Sequence, residues 1–338
     1  MDLKDLVQPN RVHSRVYTEP ELFDMEMERI FKRVWLYVAH ESQLRKAGDF
    51  VRTRMGKFEV LVLRHDDGEI HVVQNSCAHR GARLCTAPNG NRPRIICPYH
   101  GWTYHNDGSL TSVPHRVSYS ATFDINDPSK WLRRAPRVSS YRGFVFASWA
   151  GDGPPLREYL EPMTDALDNL IDRSPESEIE VAGGGFTLRY PGNWKFHMEN
   201  ANDTIHPSFV HGSSVASAGT DTDQVSALDD GQTRTMLISN GFTEREWDQL
   251  ELYGFEHGHS YMGGFYKSGI LAPDTGDPVS TAYRDAMIAG HGEARTDEIL
   301  GMDRFQPCDE LLVDIGLGAI VLVKLGRGPG NRRRTGLG

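Results

Sequence analysis

The sequence predicts an α+β protein, in which a small antiparallel β domain precedes a larger domain built from helices and an antiparallel sheet. Between residues 41 and 155, short runs of β-branched and aromatic residues are separated by Gly-containing turns, a pattern typical of hairpins. Beyond residue 155, apolar residues recur at helical spacing between a few strand-like runs. The length of 338 residues suits two domains, since a domain usually has roughly 100–200 residues.

A helical segment comes first and is predicted over residues 1–40. Its main helix is expected at residues 18–34, because Thr18 and Glu21 have the spacing of a capping box. Apolar side chains then recur roughly at helical spacing, namely Leu22, Phe23, Ile30, Phe31 and Val34.

Two hairpins and one further strand make up the predicted β domain. The dipeptides Asp67-Gly68 and Asp107-Gly108 are strong signals for a two-residue hairpin turn. Strand-like runs flank both dipeptides, at 58–64 and 70–74 for the first and at 102–104 and 110–113 for the second. Residues 141–149 predict another strand of this domain.

The second domain is predicted over residues 156–305, after a linker at 151–155. Helical and strand patterns are mixed in this part, which indicates an α+β domain. The helical patterns cover 156–171, 193–205, 244–253 and 281–300, and the strand patterns cover 186–190 and 233–242. Residues 306–338 follow as an atypical tail.

The chain carries 37 Lys and Arg against 46 Asp and Glu, a formal charge of −9. Nucleic acids and anionic lipid surfaces are bound through clustered basic residues, so this balance argues against both as main partners. The most apolar uncharged run, residues 315–323, is far shorter than the ~20 residues of a membrane helix. The charged N-terminus also lacks the apolar stretch of a secretory signal. We therefore expect a soluble, cytoplasmic protein with no nucleic-acid or membrane partner.

Four cysteines are too few for a disulfide scaffold in a chain of this length, and their clustering indicates a metal site. Cys77-x-His79 is followed, after 17 residues, by Cys97-x-x-His100. These residue types would also suit zinc, but Cys2His2 zinc fingers place both Cys before both His. Paired Cys/His loops suit a [2Fe–2S] cluster with two Cys on one iron and two His on the other. Zinc and scattered structural side chains stay open as alternatives.

Glycines follow both pairs, Gly81 after the first and Gly101 after the second. They allow tight turns that direct backbone N–H groups at the cluster sulfurs. Neutral imidazoles in place of anionic thiolates reduce the negative charge at one iron, which raises the reduction potential. The pattern therefore predicts a redox centre.

Residues 77–104, CAHRGARLCTAPNGNRPRIICPYHGWTY, resemble the Rieske domain in the large (α) subunit of aromatic-ring-hydroxylating oxygenases. By this resemblance the two Cys and two His of the paired loops are the ligands of a Rieske [2Fe–2S] cluster. Cys85 matches no ligand, and we expect its thiol to be a small buried hydrophobe. The resemblance extends over residues 20–305 and implies that 41–155 is the Rieske domain and 156–305 the catalytic domain.

A second metal motif lies in residues 193–211, where Asp203-x-x-His206 is followed by His211. His206 and His211 would lie about 140° apart on a continuous helix and could not bind one ion. Pro207 disfavours the α conformation at His206 and favours a new helix start, so the chain can bend and bring both imidazoles together. Two His with a later carboxylate form the facial triad of non-haem Fe(II) oxygenases, with positions open for O2 and substrate.

The same segment resembles the family's mononuclear-iron motif at Asn200, Asp203, His206 and His211. The resemblance implies that the two His are iron ligands and that Asp203 bridges, through hydrogen bonds, from a Rieske His of a neighbouring subunit to this iron. A carboxylate that accepts the N–H of a metal-bound imidazole orients the ring and gives electrons a short bonded route. The alternative role for Asp203 is a helix-end carboxylate that holds the local turn.

The resemblance implies the catalytic subunit of a multicomponent oxygenase. Such a subunit takes electrons from an NAD(P)H-dependent reductase, with or without a ferredoxin, through the Rieske cluster to mononuclear Fe(II), and hydroxylates an aromatic ring with O2. A small β subunit and a homo-oligomer built on trimers are the further partners implied. Residues 37–43, YVAHESQ, resemble the aromatic-acid branch, such as benzoate or anthranilate dioxygenases. The substrate and the choice between mono- and dioxygenation are open, and the alternative function is a Rieske electron carrier or a catalytically defective oxygenase.

The resemblance ends near residue 305. The family takes its third iron ligand, an Asp, from a segment well beyond the second His, but residues 306–338 resemble nothing in the family. Their last 13 residues hold five Gly and four Arg, a composition that cannot build a core. We expect a frameshift near residue 305 that truncates the catalytic domain. The alternative is a divergent end in which Asp303, Asp309 or Asp314 supplies the carboxylate.

Overall fold

In the computed structural model the chain divides into two compact units. One comprises Met1–Leu160, Gly184–Met198 and Glu310–Leu322, and the other comprises Glu161–Gly183, Glu199–Asp309 and Val323–Gly338. The structure describes residues 3–181, 191–203, 205–210, 250–263 and 278–302, and the short segments 306–307, 313–314 and 319–320. Helices and antiparallel sheets occur in both units, so the predicted α+β class is confirmed. The predicted domain limits stay predictions.

The first unit begins with short elements, and the helix predicted at 18–34 is wrong in its limits and its cap. Glu19 precedes a helix in which Pro20 takes the first position, where its missing N–H is not needed and its fixed φ suits the helix. Thr18 instead ends the preceding helix. The elements are β1 (Val7–Gln8), β2 (Arg11–Val12), α1 (Arg15–Thr18), α2 (Pro20–Glu26) and a π-helical turn at Met27–Phe31.

The strands that follow in the described part of this unit are β3 (Leu36–His40), β4 (Asp49–Met55), β5 (Phe58–Arg64), β6 (Ile70–Gln74), β7 (Asn89–Asn91), β8 (Ile95–Ile96), β9 (Thr103–Tyr104), β10 (Leu110–Ser112), β11 (Arg137–Tyr141) and β12 (Phe144–Ser148). They form three larger antiparallel sheets, with the strand orders β6–β5–β4–β7, β10–β9–β8 and β11–β12–β3.

Both predicted hairpins are confirmed. β5 pairs with β6 around Asp67-Gly68, and β9 pairs with β10 around Asp107-Gly108. The φ angles of +89° at Gly68 and +90° at Gly108 lie in the left-handed region that favours glycine. A Cβ at Gly108 would also lie 3.0 Å from Val73 Cγ1, so the second turn packs directly against β6.

The strand predicted at 141–149 is one arm of a third hairpin. β11 and β12 pair around a turn at Arg142-Gly143, and β3 pairs with the other edge of β12. β3 lies inside the segment 1–40 that the sequence predicts as helical. All five residues of β3 and all five of β12 are buried, and burial on both faces suits a central strand rather than an amphipathic helix.

Two apolar clusters form the core of this unit, and β5 separates them. Side chains alternate across a strand, so Val60 and Val62 contact the first cluster while Leu61 and Leu63 contact the second. The second cluster surrounds the cysteine loops and includes Cys77, Cys85, Cys97, Trp102 and Tyr104. The predicted metal ligands therefore lie at the edge of a packed core.

Throughout the described part of the chain, no helix is both long enough and apolar enough to cross a membrane. The remaining elements lie beyond residue 155. The helices are α3 (Leu156–Leu160), α4 (Thr164–Asp172), α5 (Trp194–Ala201), α6 (His206–Val210), α7 (Pro278–His291) and α8 (Glu293–Gly301). The strands are β13 (Glu251–Gly254), β14 (Ser260–Gly263), β15 (Gln306–Pro307), β16 (Val313–Asp314) and β17 (Ala319–Ile320), paired as β13–β14–β15 and β16–β17.

Two of the predicted long helices are interrupted. The helix predicted at 156–171 is α3 and α4 with Pro162 between them, because proline cannot donate the backbone hydrogen bond of a helix interior. The helix predicted at 281–300 is α7 and α8, separated at Gly292, whose φ is +79°.

The helix predicted at 244–253 is wrong in its described part. Glu251 begins strand β13, and Tyr253 lies opposite Tyr261 of β14 with ring centroids 4.9 Å apart. Cross-strand pairing overrides the local helical spacing here. The strands predicted at 186–190 and 233–242 lie outside the described residues.

The first turn of α5 is held by the N-terminal helices. Glu26 accepts a hydrogen bond from Trp194 Nε1 at 2.8 Å and from Lys195 Nζ at 2.6 Å. Tyr17 stacks on Phe196 with ring centroids 4.4 Å apart. The side chains of Glu26 and Lys195 are only 15% and 11% exposed, so neither charge is well hydrated and each depends on the other.

We expect Glu26→Ala to lower the free energy of unfolding by roughly 2–4 kcal/mol, because it leaves a buried ammonium without its carboxylate. The matched control is Glu28→Ala, which breaks the ion pair between Glu28 and Lys32. The Glu28 side chain is 63% exposed, so this pair is well hydrated. That variant should change the free energy by less than about 0.5 kcal/mol. Urea denaturation followed by tryptophan fluorescence measures both, and equal effects would contradict the proposed anchor.

Candidate metal centres

The two ligand loops have the same backbone geometry. Gly81 N–H donates to the carbonyl of Cys77 at 2.8 Å, and Gly101 N–H donates to that of Cys97 at 3.0 Å. Both glycines have left-handed φ angles, +71° and +66°. The two Cys N–H groups in turn donate, at 2.8 Å each, to the carbonyls of Ala82 and Trp102. Each loop is therefore a closed turn that begins at its Cys.

The four predicted ligands come together as two pairs. The thiols of Cys77 and Cys97 are both buried, and the Cys97 thiol lies near enough to Cys77 to contribute to raising its pKa. The imidazoles of His79 and His100 are half-buried, with ring centroids 4.8 Å apart. The thiols thus lie on the core side and the imidazoles nearer the surface, and this pairing of like residues suits a cluster with two Cys on one iron and two His on the other.

The protonation behaviour of these groups suits metal binding. Burial, together with the nearby His100, lowers the pKa of His79, so its imidazole is neutral at pH 7 and has a lone pair for a metal. Burial raises the pKa of the Cys77 thiol, an effect that metal coordination reverses by stabilising the thiolate.

One atom of the site lacks a protein partner. His79 Nδ1 is buried and has no hydrogen-bond partner among the described residues. A buried polar atom in this position is costly unless a ligand takes up its lone pair. The residues present therefore fit an iron–sulfur cluster.

Two aromatic residues that directly contact the ligands were not predicted from the sequence. Trp102 stacks on His79 with ring centroids 4.9 Å apart and an interplanar angle of 4°. The hydroxyl of Tyr104 lies 3.2 Å from Cys77 Sγ, within hydrogen-bonding distance of the sulfur. The run Gly-Trp-Thr-Tyr directly after His100 contains both residues, but their contacts with the other loop depend on the fold.

The second metal motif is divided between two helices, so the new helix start predicted from Pro207 is present. However, His206, which Pro207 was expected to keep out of the α conformation, is the first residue of the new helix. α5 ends at Ala201, and α6 begins at His206 with Pro207 in its first turn. Between the helices, Asp203 Oδ1 accepts hydrogen bonds from the N–H groups of Ile205 at 2.8 Å and His206 at 3.2 Å. These bonds give Asp203 a capping role at the start of α6.

The capping contacts also affect the charge of Asp203 and the orientation of His206. The N–H groups of Ile205 and His206 lower the pKa of Asp203, so its carboxylate is ionised at neutral pH. His206 Nδ1 lies 3.1 Å from the backbone carbonyl of Asp203 and 3.5 Å from its Oδ2. A proton on Nδ1 would put the lone pair of the ring on Nε2, the form in which histidine binds a metal.

The remaining predicted iron ligands lie outside the described residues. These are His211 and two of the three candidate carboxylates, Asp303 and Asp309. Asp314 belongs to β16, for which only the backbone is described. Among the residues that the structure does describe, no three His, Cys, Asp or Glu side chains are grouped around one point. The ligand assignments at both centres stay predictions.

Residues 34–132 match the family model of the Rieske [2Fe–2S] domain. This match confirms the predicted cluster type. It also includes β3 to β10, the strands from which the two ligand loops extend.

Relatives match a much larger part of the chain. The α subunit of toluate 1,2-dioxygenase from Pseudomonas putida is 37% identical over 303 residues, which are 87% of this chain and 62% of the relative. The large subunit of anthranilate 1,2-dioxygenase from Acinetobacter baylyi is 38% identical over 256 residues, 75% of this chain and 53% of the relative. This chain thus spans between half and two thirds of the length of these relatives.

The fold is also similar to that of a solved oxygenase. The structure of naphthalene 1,2-dioxygenase from Rhodococcus sp. bound to indole matches with a TM-score of 0.66 and 28% identity. The match covers 88% of this chain and 62% of that one. The predicted resemblance is therefore confirmed: the chain carries a Rieske [2Fe–2S] domain and is homologous to the α subunits of Rieske aromatic-ring dioxygenases.

Proposed function

We propose that this chain is the catalytic subunit of a multicomponent oxygenase that hydroxylates an aromatic ring with O2. The observation that carries the proposal is the pair of matching Cys/His loops in a Rieske domain, in a chain homologous to dioxygenase α subunits over 87% of its length. In this proposal Cys77 and Cys97 hold one iron of the cluster, and His79 and His100 hold the other.

The catalytic centre of the proposed enzyme lies at the α5–α6 junction. His206 and His211 are the proposed ligands of a mononuclear Fe(II), which would supply oxygen activation when bound. Asp203 is the proposed bridge to the cluster of a neighbouring subunit. Its ionised carboxylate and its contacts with His206 support that role, because a carboxylate beside a ligand imidazole fixes the ring orientation.

The proposed substrates are aromatic acids. The relatives named for toluate and 2-halobenzoate align with 87% of this chain, whereas those named for biphenyl and chlorobenzene align with 61% and 56% of it. The YVAHESQ segment at 37–43 does not explain the preference by contact, because Tyr37 to His40 are buried in β3. That segment therefore indicates the branch of the family rather than a substrate contact.

The proposed partners follow from the same assignment. An NAD(P)H-dependent reductase, with or without a ferredoxin, would deliver electrons one at a time to the cluster. A small β subunit and a trimer-based homo-oligomer would complete the enzyme, and a bridge between subunits requires such an assembly. We propose that it acts in the cytoplasm, where a source of NAD(P)H is at hand.

The purified protein should contain one [2Fe–2S] cluster per chain, with the low average g-value of mixed nitrogen and sulfur ligation after reduction by dithionite. His100→Cys should move the spectrum toward the all-thiolate type, because an anionic sulfur replaces a neutral nitrogen. Electron paramagnetic resonance and iron analysis of anaerobically isolated protein test this. A zinc-loaded protein without a signal would show that the ligand assignment is wrong.

A frameshift near residue 305 would leave the protein without its third iron ligand, and such a protein should reduce its cluster without forming product. If Asp303, Asp309 or Asp314 supplies that ligand, the protein with a matching reductase and NADH should convert a benzoate-type acid to a hydroxylated product and consume O2 in proportion. Iron analysis should then give about three irons per chain, two from the cluster and one from the mononuclear site. Two irons per chain, with a cluster that reduces but forms no product from any aromatic acid tested, would favour the electron carrier or the defective oxygenase.

Asp203→Asn separates the bridging role from the capping role. Asparagine is as good a helix cap as aspartate, so the start of α6 should be retained. The loss of charge should leave the Rieske spectrum unchanged but slow cluster oxidation, in a single turnover with substrate and O2, by roughly 10–100-fold. If Asp203→Asn turns over at the wild-type rate, the carboxylate serves only as a cap.

A further inference from the structure

We propose that Asn75 is a positioning residue for the cluster, which holds the far end of the first ligand loop, residues 77–85. The inference rests on the proposed function only in taking Cys77 and His79 as cluster ligands. It concerns a buried amide one residue beyond β6, which is not itself a candidate ligand.

The carboxamide of Asn75 makes all four of the hydrogen bonds that it can make. Its Oδ1 accepts the backbone N–H groups of Leu84 at 3.1 Å and Cys85 at 2.9 Å. Its Nδ2 donates to the Cys85 carbonyl at 2.7 Å and to Glu59 Oε2 at 2.7 Å. Two donors and two acceptor positions are all that a carboxamide has, so the side chain is locked in one orientation.

The partner carboxylate is itself fixed by charge. Glu59 is 14% exposed at its side chain and lies 2.7 Å from Arg52 Nη1 and 3.0 Å from Arg83 Nε. Its backbone carbonyl also accepts the Asn75 N–H at 2.8 Å. Arg52 Nε also donates a hydrogen bond, at 3.2 Å, to the carbonyl of Ala87, two residues after Cys85. Strands β4 and β5 therefore anchor the amide and the backbone that it holds.

The part of the loop between its two ends lies mostly at the surface. Residues 78–83 are exposed or half-buried, whereas Leu84 and Cys85 are buried in the second core cluster. Asn75 precedes Cys77 by two positions and binds residues 84 and 85, so it ties together both ends of the loop. Such a tie reduces the conformational entropy that Cys77 and His79 would otherwise lose on cluster binding.

The same contacts explain why Cys85 is buried without being a ligand. Both its backbone groups are bonded to Asn75, and its thiol packs in the core 3.8 Å from the Ala87 carbonyl. This residue is the point at which the loop is attached to the core. The expected role of its thiol, a small buried hydrophobe, agrees with this packing.

The test is Asn75→Asp, which keeps the shape and both acceptor contacts but replaces the two donors by a second oxygen. That oxygen would face the Glu59 carboxylate and the Cys85 carbonyl, which repel it. We expect the cluster to be lost to an iron chelator roughly 10–100-fold faster than in the wild type, the usual effect of losing a group that orients a metal ligand. Altered g-values of the reduced cluster should accompany the loss, because a loosened loop changes the ligand geometry.

The matched control is Asn91→Asp on β7. The amide of Asn91 also donates to a carbonyl, that of Ala47 at 2.9 Å, and to a carboxylate, Asp49 Oδ1 at 2.8 Å. Neither of these two partners belongs to a ligand loop, so Asn91→Asp should lose its cluster within about twofold of the wild-type rate. Equal cluster loss in the two variants would show a general effect of the charge and overturn the proposal.

Rescue distinguishes positioning from misfolding. Glu59→Gln in the Asn75→Asp background restores a donor next to the new carboxylate and removes the repulsion. The double variant should lose its cluster to the chelator at close to the wild-type rate and should show the wild-type g-values. No rescue, or wild-type retention in Asn75→Asp alone, would overturn the proposal. Because the measured property is the cluster, a chain that behaves as expected but forms no product would contradict the proposed function and leave this inference intact.

Discussion

The metal-centre geometry of the first unit depends on one repeated backbone constraint. In each ligand loop a left-handed glycine donates its N–H to the carbonyl of the cysteine, at Gly81–Cys77 and Gly101–Cys97. This closure lets a loop leave the sheet, present its cysteine to the core and return within a few residues. A side chain at either glycine would disfavour the φ angle that closes the turn. The burial of the thiols and the approach of the imidazoles follow from it.

The sheets supply the rigidity that the loops lack. β5 alternates between the two apolar clusters, and Glu59, at its start, lies beside the first loop. The Asn75 carboxamide beside that loop is fully hydrogen-bonded, which stabilises a single arrangement. His79 Nδ1 is buried without a partner among the described residues, and a metal at the ligand loops would take up its lone pair.

The α5–α6 junction is held together by other interactions than the ligand loops. Its side chains are held by helix ends and caps rather than by a sheet, so Asp203 bonds to the backbone of the same junction at which His206 begins α6. The start of α5 is fixed by a nearly buried ion pair and by aromatic stacking. A site on two short helices owes its geometry to such anchors, because short helices have little stability of their own.

The sequence by itself determined the features that depend on a few neighbouring residues. The Asp-Gly turns and the new helix start next to Pro207 appear in the structure, because local backbone preferences decide them. Tertiary structure decided what distant residues impose. β3 and β13 are strands because partner strands and burial override their local patterns. The contacts of Trp102, Tyr104 and Asn75 around the cluster loops exist only once the chain has folded, since each joins segments that no local spacing relates.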